Sequence, residues 1–170
     1  MFKSTGFIRR IDESGRISIP KELRKKHRLD DNVPVEIGEN EENLVLKRYS
    51  RVGQFSDSSK SILESFYSIT GLPVILCDTD SVIVSPGIAS LKGEKISDEL
   101  YEHIRDKSER IPSVPILKEG DMASAEVQII YSLSRIAVGA LVIPDCSKEI
   151  RNSQVDCLRL CAKAIGQLIG

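Results

Sequence analysis

Basic side chains dominate the N-terminal end of this chain, and their type and spacing suggest a chemistry. Residues 1–28 contain nine Lys or Arg residues and three Asp or Glu residues, although the whole 170-residue chain has a net charge of −1. A concentration of cations is either a solvated face or a surface for a polyanion. The local structure around each cation decides between these interpretations. The nine residues are Lys3, Arg9, Arg10, Arg16, Lys21, Arg24, Lys25, Lys26 and Arg28.

Other residue groups that carry chemistry in proteins lack the required spacing here. The segment 87–93 has the residue types of a phosphate-binding loop in the wrong order, so we reject that function. Asp78 and Asp80 fit a turn better than a cation site, because no further carboxylate completes a site. Cys157 and Cys161 lie one helical turn apart on an apolar face, which favours core packing. We predict no metal, no cofactor, no catalytic residue and no enzymatic activity.

The basic stretch is the start of a domain that is predicted to consist of short strands and one short helix. Alternating apolar residues predict the strands, and Pro20 presets a helical φ at the start of the helix. The predicted order is strand, turn, strand, helix, strand, strand, over residues 7–11, 12–15, 16–19, 20–26, 33–37 and 44–47. A domain of residues 1–52 is too short to close a core alone, so we expect a homodimer.

The motif T-G-x-x-R-x-x-D-x-x-G-R-x-x-I-P-x-E-L-R spans Thr5 to Arg24 and resembles the AbrB-type transition-state regulators. This resemblance implies an all-β swapped-hairpin barrel with a short helix, formed by two chains, and it implies binding to double-stranded DNA. The family's DNA-contacting arginines match Arg9, Arg16 and Arg24. Lys25 stands where the family often has a second Arg, so it keeps the charge and loses the bidentate fork. The DNA-binding residues assigned on this basis are Arg9, Arg10, Arg16, Arg24 and Lys25.

The remaining residues, 53–170, are predicted to form a second domain. Their pattern gives the order helix, strand, strand, helix, strand, strand, helix, with the helices starting near Ser56, Ser97 and Ser147. We expect an α+β domain whose antiparallel sheet is flanked by helices on one side. The pattern resembles a GAF-type sensor domain, which implies a pocket for an unidentified small-molecule effector. A domain that only dimerises or transmits strain is the equal alternative.

Together these expectations predict a sequence-specific double-stranded DNA-binding transcription regulator. The two resemblances imply that it controls sporulation genes in a spore-forming bacterium, as a homodimer or as a dimer of dimers, a tetramer joined through helices of the second domain. An antitoxin with the same barrel is the alternative among binding proteins. The alternative from another class is a GAF-type thiol redox enzyme, which requires the fold to bring cysteines such as Cys77 and Cys146 together.

Composition limits the partner and the compartment. The eight aromatic residues, four Tyr and four Phe, are too few for a platform that stacks single-stranded nucleic acid. No apolar run approaches the roughly 18 to 20 residues of a membrane span, so we expect no membrane partner. Four cysteines fit a reducing compartment. We therefore expect a cytoplasmic protein associated with the nucleoid, and the sporulation role extends this expectation to the forespore.

Overall fold

The computed structural model describes residues 4–29, 31, 33–106, 113–146 and 148–170. The chain divides into two compact units, Met1–Tyr49 and Ser50–Gly170, here called unit 1 and unit 2. The sequence placed the boundary after residue 52, at an expected linker. Residues Arg51–Gln54 instead form the short helix α2, in which the Ser50 hydroxyl accepts a hydrogen bond from the Gly53 N–H and Val52 is fully buried. The expected linker is thus the first helix of unit 2.

Unit 1 contains one short helix and one hairpin. The helix α1 spans Lys21–Lys26, and the strands β1 (Val35–Asn40) and β2 (Asn43–Arg48) pair antiparallel. The strand pair expected over residues 7–11 and 16–19 is absent, since these described residues have no strand structure within a single chain. An isolated two-stranded ribbon is marginal in water unless its apolar face is covered.

The apolar face of the β1–β2 hairpin is bare. Ile37 lies opposite Leu46, and Leu44 stands two residues along on the same face, because residues directly opposite in an antiparallel pair share a face. All three side chains are exposed, Ile37 to 69%. None of the described residues from 4 to 49 is buried. The hairpin domain therefore has no interior within one chain, and the swapped-hairpin barrel remains a prediction.

Unit 2 is built around a four-stranded antiparallel sheet with flanking helices, as predicted. After α2, the elements are α3 (Ser56–Thr70), β3 (Ile75–Asp78), β4 (Val82–Val84), α4 (Asp98–Asp106), β5 (Ser124–Tyr131), β6 (Ala137–Pro144) and α5 (Asn152–Ile169). The strand order in the sheet is β4-β3-β6-β5. Two predicted helix ends, at Lys107 and Ser147, lie outside the described residues.

Helices cover both faces of this sheet, so the expectation of helices on one side was wrong. Leu76 and Leu141 face the first core, to which α3 and α5 contribute, whereas Ile75 and Val142 face the second core, to which α4 contributes. Of the two central strands, β3 is buried throughout and β6 along most of its length. A strand that is buried on both faces has a continuous apolar run with no polar side, which hides the second layer from pattern analysis.

Within the described residues, no helix combines the length and the apolar character needed to cross a membrane.

Helix α5 approaches strand β5 closely at Gly166. A Cβ atom at this position would lie 2.3 Å from the carbonyl oxygen of Tyr131, well inside any real contact distance. The buried glycine is therefore required for the packing of α5 on the sheet.

We expect Gly166→Ala to destabilise unit 2 by about 1 to 3 kcal/mol, because the added methyl group forces helix and strand apart. Helix propensity alone predicts the opposite sign, a stabilisation of about 1 kcal/mol. Urea denaturation followed by circular dichroism measures the difference. Gln167→Ala, at the exposed neighbouring position, is the control and should be nearly neutral. An unchanged or raised denaturation midpoint for Gly166→Ala would contradict this packing.

Candidate nucleic-acid interface

The turn between the two segments of unit 1 that were expected as strands is built on Asp12. Its carboxylate oxygen Oδ1 accepts hydrogen bonds from the backbone N–H groups of Ser14 (2.9 Å) and Arg16 (2.8 Å). Backbone bonds from Gly15 N to Asp12 O and from Asp12 N to Arg16 O close the loop. Gly15 has a φ of 75°, a left-handed conformation that glycine adopts without strain. The predicted turn is confirmed, and Asp12 fixes the backbone of the exposed Arg16.

Arg9 and Arg10 lie on the segment that leads into this turn, and both are exposed. The Arg9 guanidinium stands over the Phe7 ring at 5.8 Å from its centroid, and its Nη1 donates to the carbonyl oxygen of Ile8 (2.9 Å). A cation–π contact at an exposed site contributes about 0.5 to 1 kcal/mol, so it biases the side chain without fixing it. Three of the five predicted DNA-binding cations thus flank one turn.

The other two predicted residues, Arg24 and Lys25, are neighbours in the last turn of α1. Arg24 Nη1 donates to Asp31 Oδ1 at 3.1 Å, and both side chains are substantially exposed. Exposed ion pairs contribute about 0 to 1 kcal/mol, so a phosphate can replace Asp31 as the partner of Arg24 at little cost. This contact was not predictable from the sequence, because a seven-residue separation across a turn carries no periodic signal.

The thiol groups of unit 2 lie in separate places. Cys77 packs in the core on the α4 face of the sheet, whereas Cys146 packs against the core on the α3–α5 face. The fold does not bring this pair together. Burial raises the pKa of the Cys77 thiol to about 12, and burial followed by the neighbouring Cys157 raises the pKa of Cys161 to about 11. Cys77 and Cys161 are therefore protonated and weakly nucleophilic at neutral pH.

In the described part of the chain, no group of three or more His, Cys, Asp or Glu side chains is placed to hold a metal ion. The Asp78 carboxylate instead accepts hydrogen bonds from the backbone N–H groups of Asp80 and Ser81, both at 2.7 Å. Lys95 pairs with Asp80. This pair of aspartates serves the hairpin turn between β3 and β4.

An open groove of about 1640 Å³ runs between the edge strand β5 and helix α5. Apolar side chains such as Leu133 and Leu160 lie along it and are exposed to 69% and 67%. The charged residues Asp156 and Arg159, which form an ion pair, and Lys163 lie on its helical side. The groove therefore leaves apolar side chains of unit 2 exposed beside charged ones.

Comparison with known proteins identifies the type of unit 1. Residues 8–54 match the family described as "Antidote-toxin recognition MazE, bacterial antitoxin". The chain is 34% identical over 109 residues to "Stage V sporulation protein T" of Bacillus subtilis (strain 168), which covers 64% of this chain and 58% of that protein. It is 43% identical over 47 residues to "Transition state regulatory protein AbrB" of the same organism, covering 28% of this chain and 49% of that protein.

The matches thus span between about half and three fifths of the length of these curated relatives. They confirm the resemblance that the motif between Thr5 and Arg24 carries. The chain begins with a MazE/AbrB-type domain, and its similarity to stage V sporulation protein T extends beyond that domain.

We expect iodoacetamide to alkylate Cys146 and Cys157 of the native protein at pH 8 well before Cys77 and Cys161. The first two thiols are partly exposed, whereas the other two are buried and have raised pKa values. Because a thiol reacts as its thiolate, the labelling of Cys161 should accelerate as the pH rises toward about 11. Peptide mass spectrometry reads each site, and the urea-denatured chain is the control for equal labelling. Fast labelling of Cys77 and Cys161 at pH 7 would contradict this burial and would support the alternative function of a thiol redox enzyme.

Proposed function

We propose, from the MazE/AbrB-type domain at its N-terminus, that the protein is a sequence-specific double-stranded DNA-binding transcription regulator. The observation that carries this proposal is the display of cations on that domain. Arg9, Arg10 and Arg16 flank a hydrogen-bonded turn, and Arg24 and Lys25 end α1, while each is at least partly exposed. A surface of exposed cations matches the phosphates of a duplex.

Phosphate contacts supply most of the affinity and orient the protein on the duplex, and contacts to base edges supply the sequence preference. Arg16 is the best candidate for base contact, because its backbone is fixed by Asp12 and its side chain leaves a narrow turn. A guanidinium there can donate two hydrogen bonds to a guanine edge. Lys25 lacks this bidentate geometry and is suited to a phosphate.

Self-association follows from the bare apolar face of the β1–β2 hairpin. Ile37, Leu44 and Leu46 are exposed within one chain, and burial of such side chains contributes about 1.5 to 3 kcal/mol each. We propose that two chains cover these faces in a swapped-hairpin barrel with two-fold symmetry. The same symmetry places two copies of each cation toward the two halves of a pseudo-symmetric DNA site.

Unit 2 is proposed to be the regulatory part. Its similarity to stage V sporulation protein T supports a role in the control of sporulation genes. The proposed DNA binding corresponds to a location in the cytoplasm at the nucleoid, and the proposed sporulation role to the forespore. The groove between β5 and α5 supports either a small-molecule effector of a GAF-type domain or a contact that joins two dimers into a tetramer.

An antitoxin is the second candidate, and the description of the matching family favours it. Antitoxins wrap their toxin with a segment that is disordered until it binds. Unit 2 instead has two cores of buried apolar residues around its sheet. Limited proteolysis separates the candidates, because the regulator predicts a protease-resistant fragment of unit 2 in the free protein. A thiol redox enzyme has less support, since Cys77 and Cys146 pack on different faces of the sheet.

The proposed function is tested by selecting duplex DNA from a random pool with the purified full-length protein. A regulator enriches one related set of sequences, and the protein then binds a selected duplex more tightly than a scrambled one of equal length. The affinity should fall steeply with added salt, because each phosphate contact releases counterions. Failure to enrich any sequence, together with no binding to duplex DNA at about 50 mM salt, would overturn the proposal.

We expect Asp12→Ala to weaken binding to a selected duplex by about tenfold, because Arg16 loses the two hydrogen bonds that shape its turn. Electrostatics alone predicts the opposite, since the substitution removes a negative charge beside the DNA. Glu13→Ala is the matched control: it removes the neighbouring exposed charge and keeps the Asp12 bonds, so its affinity should stay equal or rise. A fluorescence anisotropy titration measures both. Equal affinities for the two variants would show that the Asp12 bonds do not position Arg16.

We expect Ile37→Glu to halve the mass of the assembly in analytical ultracentrifugation, because a carboxylate in an apolar contact is costly to bury. Val45→Glu, on the opposite face of the same hairpin, is the control and should leave the mass unchanged. An assembly of wild-type mass for Ile37→Glu at micromolar concentration would rule out this face as the contact between chains.

A further inference from the structure

Helix α1 ends in a tight backbone turn that places Arg28 in an unusual conformation. The Arg28 N–H donates to the carbonyl oxygen of Lys25 (3.1 Å), and the Leu29 N–H donates to that of Arg24 (2.8 Å). These two bonds define a Schellman motif, in which the first residue beyond the cap adopts a left-handed backbone. Arg28 occupies that position with a φ of 50°.

Glycine is the usual residue at this position, because a Cβ atom strains the left-handed conformation. Among the described residues, only Arg28 and Arg135 have a positive φ without being glycine. Backbone strain of this kind persists where the surrounding structure enforces it, and such residues cluster at functional sites. The position therefore calls for a reason to carry a long cationic side chain.

Helix stabilisation is a weak reason. A cation at a helix C-terminus interacts favourably with the helix dipole, but Arg24, Lys25 and Lys26 already supply three in the last turn of α1. A fourth adds repulsion among like charges as well as attraction to the dipole. A polyanionic partner that several cations contact together would use the charge of Arg28 along with those of Arg24, Lys25 and Lys26.

The turn also sets where the Arg28 side chain starts. The bond from Leu29 N to Arg24 O folds the chain back against the last turn of the helix, so Arg28 returns to the end of α1 that carries Arg24 and Lys25. With glycine at this position, the same turn would carry no charge at that place.

We propose that Arg28 is a further phosphate-binding residue of the DNA interface, which its left-handed backbone places next to the cations at the end of α1. The inference rests on the proposed function and extends the predicted contact set by one residue per chain. Two chains of a dimer therefore gain two phosphate contacts.

Three variants of the full-length protein separate charge from strain. Arg28→Lys keeps both the charge and the strained backbone, Arg28→Ala keeps only the strain, and Arg28→Gly keeps neither. The measurements are the affinity for a 30-base-pair random-sequence duplex across a salt series, and the melting temperature of each variant. A random duplex suffices because phosphate contacts do not depend on sequence.

If Arg28 binds phosphate, affinity follows charge. Arg28→Ala and Arg28→Gly should bind roughly tenfold or more weakly than wild type at about 0.1 M salt, and the slope of log affinity against log salt should fall by about 1.8 for two lost contacts. Arg28→Lys should stay within about threefold of wild type. The melting temperature follows strain, with Arg28→Gly about 2 to 5 °C above Arg28→Ala.

Wild-type affinity and salt slope in Arg28→Ala would overturn the inference, and so would a loss of affinity in Arg28→Lys as large as that in Arg28→Ala. Equal melting temperatures for Arg28→Gly and Arg28→Ala would overturn the placement of Arg28 by a strained turn. Failure of the wild-type protein to bind the duplex at any salt would instead refute the proposed function. A wild type that binds with a steep salt slope, beside an Arg28→Ala variant that matches it, refutes only the role of Arg28.

Discussion

The constraint on which unit 1 depends is that its apolar side chains have no interior within one chain. Ile8 is exposed to 88% and Ile37 to 69%, and no described residue from 4 to 49 is buried. Folding entropy costs about 1 to 2 kcal/mol per ordered residue, which a unit without a buried core does not offset. Unit 1 therefore needs a second surface to cover its apolar side chains, and in the proposed barrel a second copy of the chain supplies that surface.

If contact between chains stabilises unit 1, its cations are not needed for stability and are available to a ligand. Within the described residues, Arg24 pairs with the exposed Asp31, and the Arg9 guanidinium lies over the exposed Phe7 ring. Such contacts are weak enough to exchange for a phosphate. The backbone beneath them is held more firmly, by the Asp12 carboxylate at the turn and by the Schellman bonds at the end of α1. Weakly held side chains on a firmly held backbone can adjust their position to a ligand whose charges repeat along its length.

Local signals predicted the parts of the fold that local interactions determine. The turn after Asp12, the helix after Pro20 and the antiparallel sheet of unit 2 all follow from short patterns, and all are present. Contacts between distant residues were not predictable in the same way. The second helical layer on the sheet escaped detection because β6 is apolar on both faces, and Val52 was read as part of a linker although it is fully buried. At the site, the five cations were assigned from the resemblance that the motif between Thr5 and Arg24 carries, whereas the Asp12 bonds, the Asp31 contact and the conformation of Arg28 depend on backbone geometry.

The two units differ in what keeps them folded, and this difference bears on regulation. Unit 2 has its own cores on both faces of the sheet and a glycine at position 166 that lets α5 reach β5. Its apolar side chains are buried within one chain, whereas the proposed barrel of unit 1 requires a second chain. The stability of that barrel, and with it the number of cations presented together, then depends on the concentration of associated chains. A contact that brings two copies of unit 2 together raises the local concentration of unit 1 and favours the DNA-binding form. In the proposed regulator, a ligand that changes the self-association of unit 2 would thereby change DNA binding, with no change in the shape of the proposed barrel.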